Sequence, residues 1–326
     1  MRKLYPLKFT PVFKEKVWGG NRIKTSLGKD FSPLDNCGEA WVLSGMEGDE
    51  TIVSNGFLAG NSLGELTAIY MEELLGDEVF GRYDVDFPLL VKFIDAEDWL
   101  SVQVHPGRDL AEKRHGSRGK AEMWYILEAA EDAEAVMGFR PGVTRESYLA
   151  HLDSGLLTDI LNFEKVSRKD VFYNAPGMVH ALGPGILLLE IQEASDITYR
   201  IHDWDRIDAA GFRRGLHREE ALAAISFDNP TNYRIPYQPK KNVSVNLVGA
   251  PWFTTNFIEL DKGIEKDYSE LDSFVILVAV SGSLTLGYGD ESTRLGKGEL
   301  VLLPAVLDNI RLIPDGEASV VETYIL

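Results

Sequence analysis

The chain is built from short apolar runs, and its longest, Phe274–Val280 and Val301–Leu307, are about seven residues. That length suits one buried strand and falls far short of a membrane-spanning helix. Leu89–Asp95, Leu100–His105, Met123–Leu127, Ala135–Phe139 and Ile186–Gln192 are rich in β-branched, Leu or aromatic residues, mostly bounded by Gly, Pro and Asp. Such side chains pack well on a pleated surface, and the turn residues return the chain on itself. The pattern predicts a mainly β sandwich or barrel rather than a doubly wound sheet.

Helices enter as additions to this scaffold. Ser62 followed by Glu65 forms a capping box at the head of a helix running to Leu75. Arg145 to Asn162 spaces Tyr148, Leu152, Leu156, Ile160 and Leu161 as one helical face, and Arg218 to Ile225 is a third candidate. At roughly 150 residues per domain, 326 residues suggest two units. The polar, proline-bearing stretch at 226–246 predicts a linker between lobes 1–240 and 241–326.

The formal charge of −18 repels phosphate backbones and anionic lipid, which argues against nucleic acid or a membrane surface as partner. An anionic small molecule then needs a local basic pocket. The one marked basic cluster is the loop Arg108–Lys120, carrying Arg108, Lys113, Arg114, Arg118 and Lys120. Cys37 is the single cysteine, which excludes an internal disulfide framework and a Cys-rich zinc site. Pro6 interrupts the N-terminus before an apolar signal region can form, so a cytoplasmic protein is expected.

Strand alternation places Gln103 and His105 on one face, and Pro176-Gly177 turns the chain just before His180. Glu122 heads an otherwise apolar strand, where a carboxylate needs a partner. Taken singly, such a His or Glu is more often structural, satisfied by a neighbouring backbone group. Together, two imidazoles, a carboxylate and an amide oxygen make a reasonable ligand set for zinc or a similar cation. His115 belongs to the basic loop, and His151 and His217 look like helix-surface residues. Thr198, Arg200 and His202 share a second strand face, and an inward Arg200 requires an anion. That anion is either a substrate or a fixed partner such as Asp196 or Asp203. Trp18-Gly-Gly and Gly38-Glu-Ala-Trp41 are most simply tight turns packed beside tryptophans.

Gln103-Val-His105-Pro, Gly119-Lys-Ala-Glu122, Pro176-Gly-Met-Val-His180-Ala and Ser195-Asp-Ile-Thr-Tyr-Arg200-Ile-His-Asp-Trp-Asp-Arg206, in this order, resemble type I phosphomannose isomerases, most closely the short bacterial form. Lys16-Val-Trp-Gly-Gly and Gly38-Glu-Ala-Trp-Val-Leu-Ser look like that family's N-terminal segments. The resemblance implies a double-lobed cupin, a jelly-roll β-barrel with helical insertions; the C-terminal lobe, with no histidine after His217, reads as a metal-free structural or lid domain. The resemblance implies one zinc ion on Gln103, His105, Glu122 and His180, with Arg200 as the catalytic arginine. It also implies interconversion of mannose 6-phosphate and fructose 6-phosphate through an enediol. For the base, Glu190 comes first, with Lys120, a zinc-bound hydroxide and His202 as alternatives; Lys120 and Arg206 are candidates to hold the phosphate. Two other classes compete: a non-catalytic sugar-binding cupin, and an iron oxygenase, which would carry a His pair where this chain has Gln103 and His105.

Overall fold

The computed structural model describes residues 3–207, 211–228 and 232–326. Every strand ladder in it is antiparallel, and the strands form two stacked pairs of sheets beside a small two-stranded one, Phe9–Thr10 with Ile52–Val53. In the first pair, a six-stranded sheet has the order Val171–Asn174, Glu122–Ala129, Ile186–Glu193, Leu89–Ala96, Glu39–Leu43, Val12–Lys14. It faces a five-stranded sheet ordered Tyr199–His202, Val102–Val104, His180–Leu182, Glu134–Phe139, Leu161–Lys165. The second pair, five strands and four, spans Ser244 to Tyr324. The fold is therefore mainly β and double-lobed, as expected. Among the described residues, however, the sheets of each lobe meet as sandwiches and are not hydrogen-bonded into closed cylinders.

The period of two along each strand sorts side chains between layers. In the Glu122–Ala129 strand, Trp124 and Ile126 point between the sheets of the first lobe, whereas Met123, Tyr125 and Leu127 point outward. That outward face packs on Phe257, Ile276, Val278 and Leu302 of the second lobe. The outer face of the five-stranded sheet, including Val102, Val104, Ala181 and Ile201, is covered by Tyr148 and Leu152 from one helix and Ala221 from another. The second lobe closes its own core around Leu277, Leu286, Leu312 and Val320.

The two lobes share a core rather than hanging on a linker. Leu7 exchanges backbone hydrogen bonds of 2.8 and 2.9 Å with Leu302, and Phe274 is fully buried in the cluster common to both. The polar 226–246 stretch, whose residues 229–231 lie outside the described set, also packs. Ile235 N–H donates to the Val171 carbonyl at 2.9 Å, and Tyr237 meets the Phe257 ring. It thereby covers the edge of the six-stranded sheet, which would otherwise present unpaired backbone groups.

Three local expectations change. The capping box at Ser62 and Glu65 forms, and the helix runs Leu63–Leu75. The helix expected over Arg145–Asn162 stops at Ser154, because Gly155 adopts a left-handed conformation with φ 74°. A short 3₁₀ turn follows, and Leu161 begins a strand paired with the Glu134–Phe139 strand. The basic loop contains a helix, Arg108–His115, closed by left-handed Gly116. It buries only Ala111, so it carries no apolar period by which the sequence could announce it. The Leu100–His105 strand shortens to Val102–Val104. No described helix is long and apolar enough to cross a membrane.

Candidate active site

The inward faces of the two first-lobe sheets are apolar at one end and polar at the other. At the polar end lies a cavity of about 280 Å3 whose lining includes Gln103, Lys120, Glu122, His180, Glu190 and Arg200. Strand register dictates this gathering. Gln103 lies opposite His180 on one side and Arg200 on the other. In the facing sheet, Glu190 lies opposite Lys92 and Trp124.

His105, Glu122 and His180 are each 1% exposed, and one ligand atom from each lies within 4.8 Å of the others. His105 Nε2 is 3.0 Å from Glu122 Oε1, and His180 Nε2 is 3.4 Å from Glu122 Oε2. Each imidazole donates Nδ1–H to a carbonyl, His105 to Ile197 at 2.8 Å and His180 to Met178 at 2.9 Å. Both Nε2 lone pairs therefore face Glu122. Burial, helped by Lys120, pushes the His105 imidazole down to about 3 against the pull of Glu122, which keeps it neutral. Burial works to raise the Glu122 pKa, but the charged groups around it, with the Lys120 ammonium 3.4 Å away, hold the carboxyl well below its usual range. Gln103 Nε2 lies 3.3 Å from His180 Nε2, so a half-turn of the amide presents Oε1 to the same point.

His105 Nε2 and Glu122 Oε2 are buried without a hydrogen-bond partner. Two neutral imidazoles aimed at an ionised carboxylate, with orphaned acceptor atoms converging, fit a borderline divalent cation.

The rest of the cavity wall is charged. Glu190 is 2% exposed; its Oε1 accepts the Trp124 indole N–H at 2.7 Å and its Oε2 lies 2.9 Å from the Lys92 ammonium. Lys92 reaches Glu39 at 3.7 Å, Glu39 pairs with Lys16 at 3.1 Å, and Trp41 donates to Glu39 at 2.7 Å. Burial and the charge of Glu122 raise the Glu190 carboxyl despite Lys92 and Lys120. Lys120 is 3% exposed with its ammonium 3.4 Å from Glu122 Oε1. Gly38 admits Lys16 and Trp18 to the wall: a Cβ there would stand 2.6 Å from Lys16 Cγ and 2.8 Å from the Trp18 ring.

Residues 6–141 match the phosphomannose isomerase type I catalytic domain. Over 98% of both chains, the sequence is 32% identical to the mannose-6-phosphate isomerase of Streptococcus mutans. The chain belongs to the type I phosphomannose isomerase family. Mannose-6-phosphate isomerase ManA of Bacillus subtilis is also 32% identical, over 98% of this chain and 99% of that one. The crystal structure of the mannose 6-phosphate isomerase from Bacillus subtilis superposes with a TM-score of 0.88 at 31% identity, covering 98% of this chain and 99% of that one.

In this phosphomannose isomerase family member, seven of the nine residues singled out from the sequence gather at the cavity or its metal cluster. Arg206 is engaged elsewhere, with Asp98 at 3.1 Å, Asp203 at 3.2 Å and the Trp99 carbonyl. His202 is absent from the lining and packs against Trp204. Lys16, Glu39, Lys92 and Arg214 also line the cavity, and the sequence singled out none of them as a site residue. Lys92 did leave a signal: it is a lysine in the middle of an apolar strand run.

Proposed function

We propose that the chain is a zinc-dependent aldose–ketose isomerase that interconverts mannose 6-phosphate and fructose 6-phosphate through an enediol. The observation that carries this reading is the buried His105–Glu122–His180 cluster opening onto a cavity walled by carboxylate, lysine and arginine. The full-length likeness to proteins named mannose-6-phosphate isomerase supports it. In this reading residues 1–240 are the catalytic lobe and 241–326, which contain no histidine, are a metal-free lobe. In this reading the protein is cytoplasmic, in keeping with the absence of any membrane-spanning helix among the described residues.

One zinc ion per chain would be held by His105, Glu122 and His180, with Gln103 as the fourth donor. When bound it supplies a Lewis acid that polarises the sugar oxygens at C1 and C2. The reaction moves a proton from C2 of the open-chain aldose to C1, while the hydroxyl proton passes from O2 to O1. Glu190 takes the C2 proton and returns it to C1; its raised pKa suits proton exchange nearer neutrality than an ordinary carboxylate. Lys120 is the second reading for the base, favoured by its burial at the cavity with Glu122 as its one ion-pair partner among the described residues. Arg200 offsets the charge that develops on the enediolate oxygen. Trp18, Ile94, Leu100 and Trp124 wall the cavity and limit water around the reacting edge.

The test is a coupled assay for fructose 6-phosphate formed from mannose 6-phosphate, using chelator-stripped protein with and without added zinc. Zinc-restored turnover is expected. Folded protein inactive in both states would overturn the isomerase reading in favour of a sugar-binding cupin.

A further inference from the structure

A sugar phosphate needs a cationic site in a chain of charge −18, and this inference rests on the isomerase reading above. Of the two cations suggested by the sequence, Lys120 stands 3.4 Å from Glu122 at the metal cluster, and Arg206 is held by Asp98, Asp203 and the Trp99 carbonyl outside the cavity lining. Two other guanidinium groups do line the cavity, Arg200 and Arg214.

Arg200 has no carboxylate within 4.0 Å among the described residues, and its buried Nε lacks a hydrogen-bond partner. Its Nη1 donates to the Gly215 carbonyl at 3.0 Å, and its backbone N–H donates to His217 Nδ1 at 3.0 Å. These two bonds tie the Tyr199–His202 strand to residues 215–217, so Arg214 is carried on the same wall. Asp203 grips Arg214 through two parallel bonds, with Nε donating to Oδ2 at 2.7 Å and Nη2 to Oδ1. This fork fixes the plane of the guanidinium while leaving the side chain 34% exposed at the cavity. Burial and the nearby Arg214 charge both disfavour the Arg200 cation, a strain that a bound anion would relieve.

We propose that Arg214, aimed by Asp203, is the phosphate clamp that restricts this site to phosphorylated sugars, leaving the neighbouring Arg200 to the enediolate oxygen. Asp203 engages Nε and Nη2 of Arg214, which leaves Nη1 to donate to a phosphate oxygen. Arg214 is then a specificity residue, and Asp203 is a positioning residue that acts through it.

The experiment is calorimetric titration of the zinc-loaded protein with glucitol 6-phosphate, an open-chain polyol phosphate that cannot isomerise, alongside KM and kcat for mannose 6-phosphate. Arg214→Gln is expected to weaken binding and to raise KM at least tenfold, with a smaller change in kcat. Arg214→Lys, which keeps the charge and loses the fork, should fall between, and it serves if the glutamine variant does not fold. Arg213→Gln removes a neighbouring charge that pairs with Asp205 outside the cavity, and it should bind within twofold of the parent. Tight binding and ordinary KM in both folded Arg214 variants would overturn the clamp while leaving the isomerase reading intact. So would a loss in Arg206→Gln with none in Arg214→Gln. Absence of both binding and turnover in the folded parent would overturn the isomerase reading, and the clamp with it.

Discussion

Replacing Lys92 by Met should test whether the charged row along the six-stranded sheet holds the cavity together. Lys92 is 4% exposed and bridges two buried carboxylates, Glu190 at 2.9 Å and Glu39 at 3.7 Å. Methionine nearly matches its length and fills the space, so the change isolates the charge. Removing one member of a buried ion pair leaves the other uncompensated, at a cost of ~3–5 kcal/mol. Glu39 gives an independent scale. Burial pushes its carboxyl up, but Lys92 and Lys16 outweigh this and bring it from 4.5 to about 2. At ~1.4 kcal/mol per pKa unit, that depression corresponds to roughly 3 kcal/mol. A depressed folded-state pKa stabilises the fold above the unfolded value near 4.5, and the contribution disappears as pH falls through about 2. Without Lys92, the Glu39 carboxyl rises towards or above its unfolded value, and Glu190, already raised, rises further. Folding then takes up protons. The loss should therefore be greatest at neutral pH and shrink as pH is lowered towards 5. Urea unfolding followed by tryptophan fluorescence, at fixed zinc and at two pH values, reads this directly. A second change, Glu190→Gln, made in the Lys92→Met background should recover part of the loss. A loss below ~1 kcal/mol at neutral pH, or one independent of pH, would refute the argument that these charges depend on one another.

Four further outcomes are expected. Glu190→Gln should lower kcat by ~10²–10⁴-fold if Glu190 relays the proton, and Lys120→Met should take that loss instead if lysine is the base; steady-state kinetics separates them. His105→Ala should abolish stoichiometric zinc retention measured by atomic emission, because the remaining donors leave the tetrahedral set incomplete. Gly19→Ala should destabilise by ~1–3 kcal/mol in chemical denaturation, since its Cβ would meet the backbone of Gly38 at 2.5 Å. Phe274→Ala, in the core common to both lobes, should cost ~3–5 kcal/mol, and circular dichroism and fluorescence should report one coincident transition.

Residue order alone carried the most apolar strands and the four metal-site candidates, Gln103 included, because both are local signals. Period-two alternation marks a strand wherever it occurs. His105, Glu122 and His180 stood out because a polar group in an apolar strand context must find a partner. The capping box at Ser62 was legible for the same reason, since its bonds span three residues. Tertiary structure decided the rest, because pairing across sheets has no local trace. The partner of Lys92 is Glu190, on another strand far along the chain, and only antiparallel register sets them side by side. Arg206 and Arg214 are equally basic in sequence, and Asp203 binds both, yet only Arg214 reaches the cavity. The 226–246 stretch has the composition of a linker but lies on a sheet edge, because the exposed backbone of the Val171–Asn174 strand needs hydrogen-bond partners. Chemistry is written residue by residue, whereas the direction a charge faces depends on strands that meet only after the chain has folded.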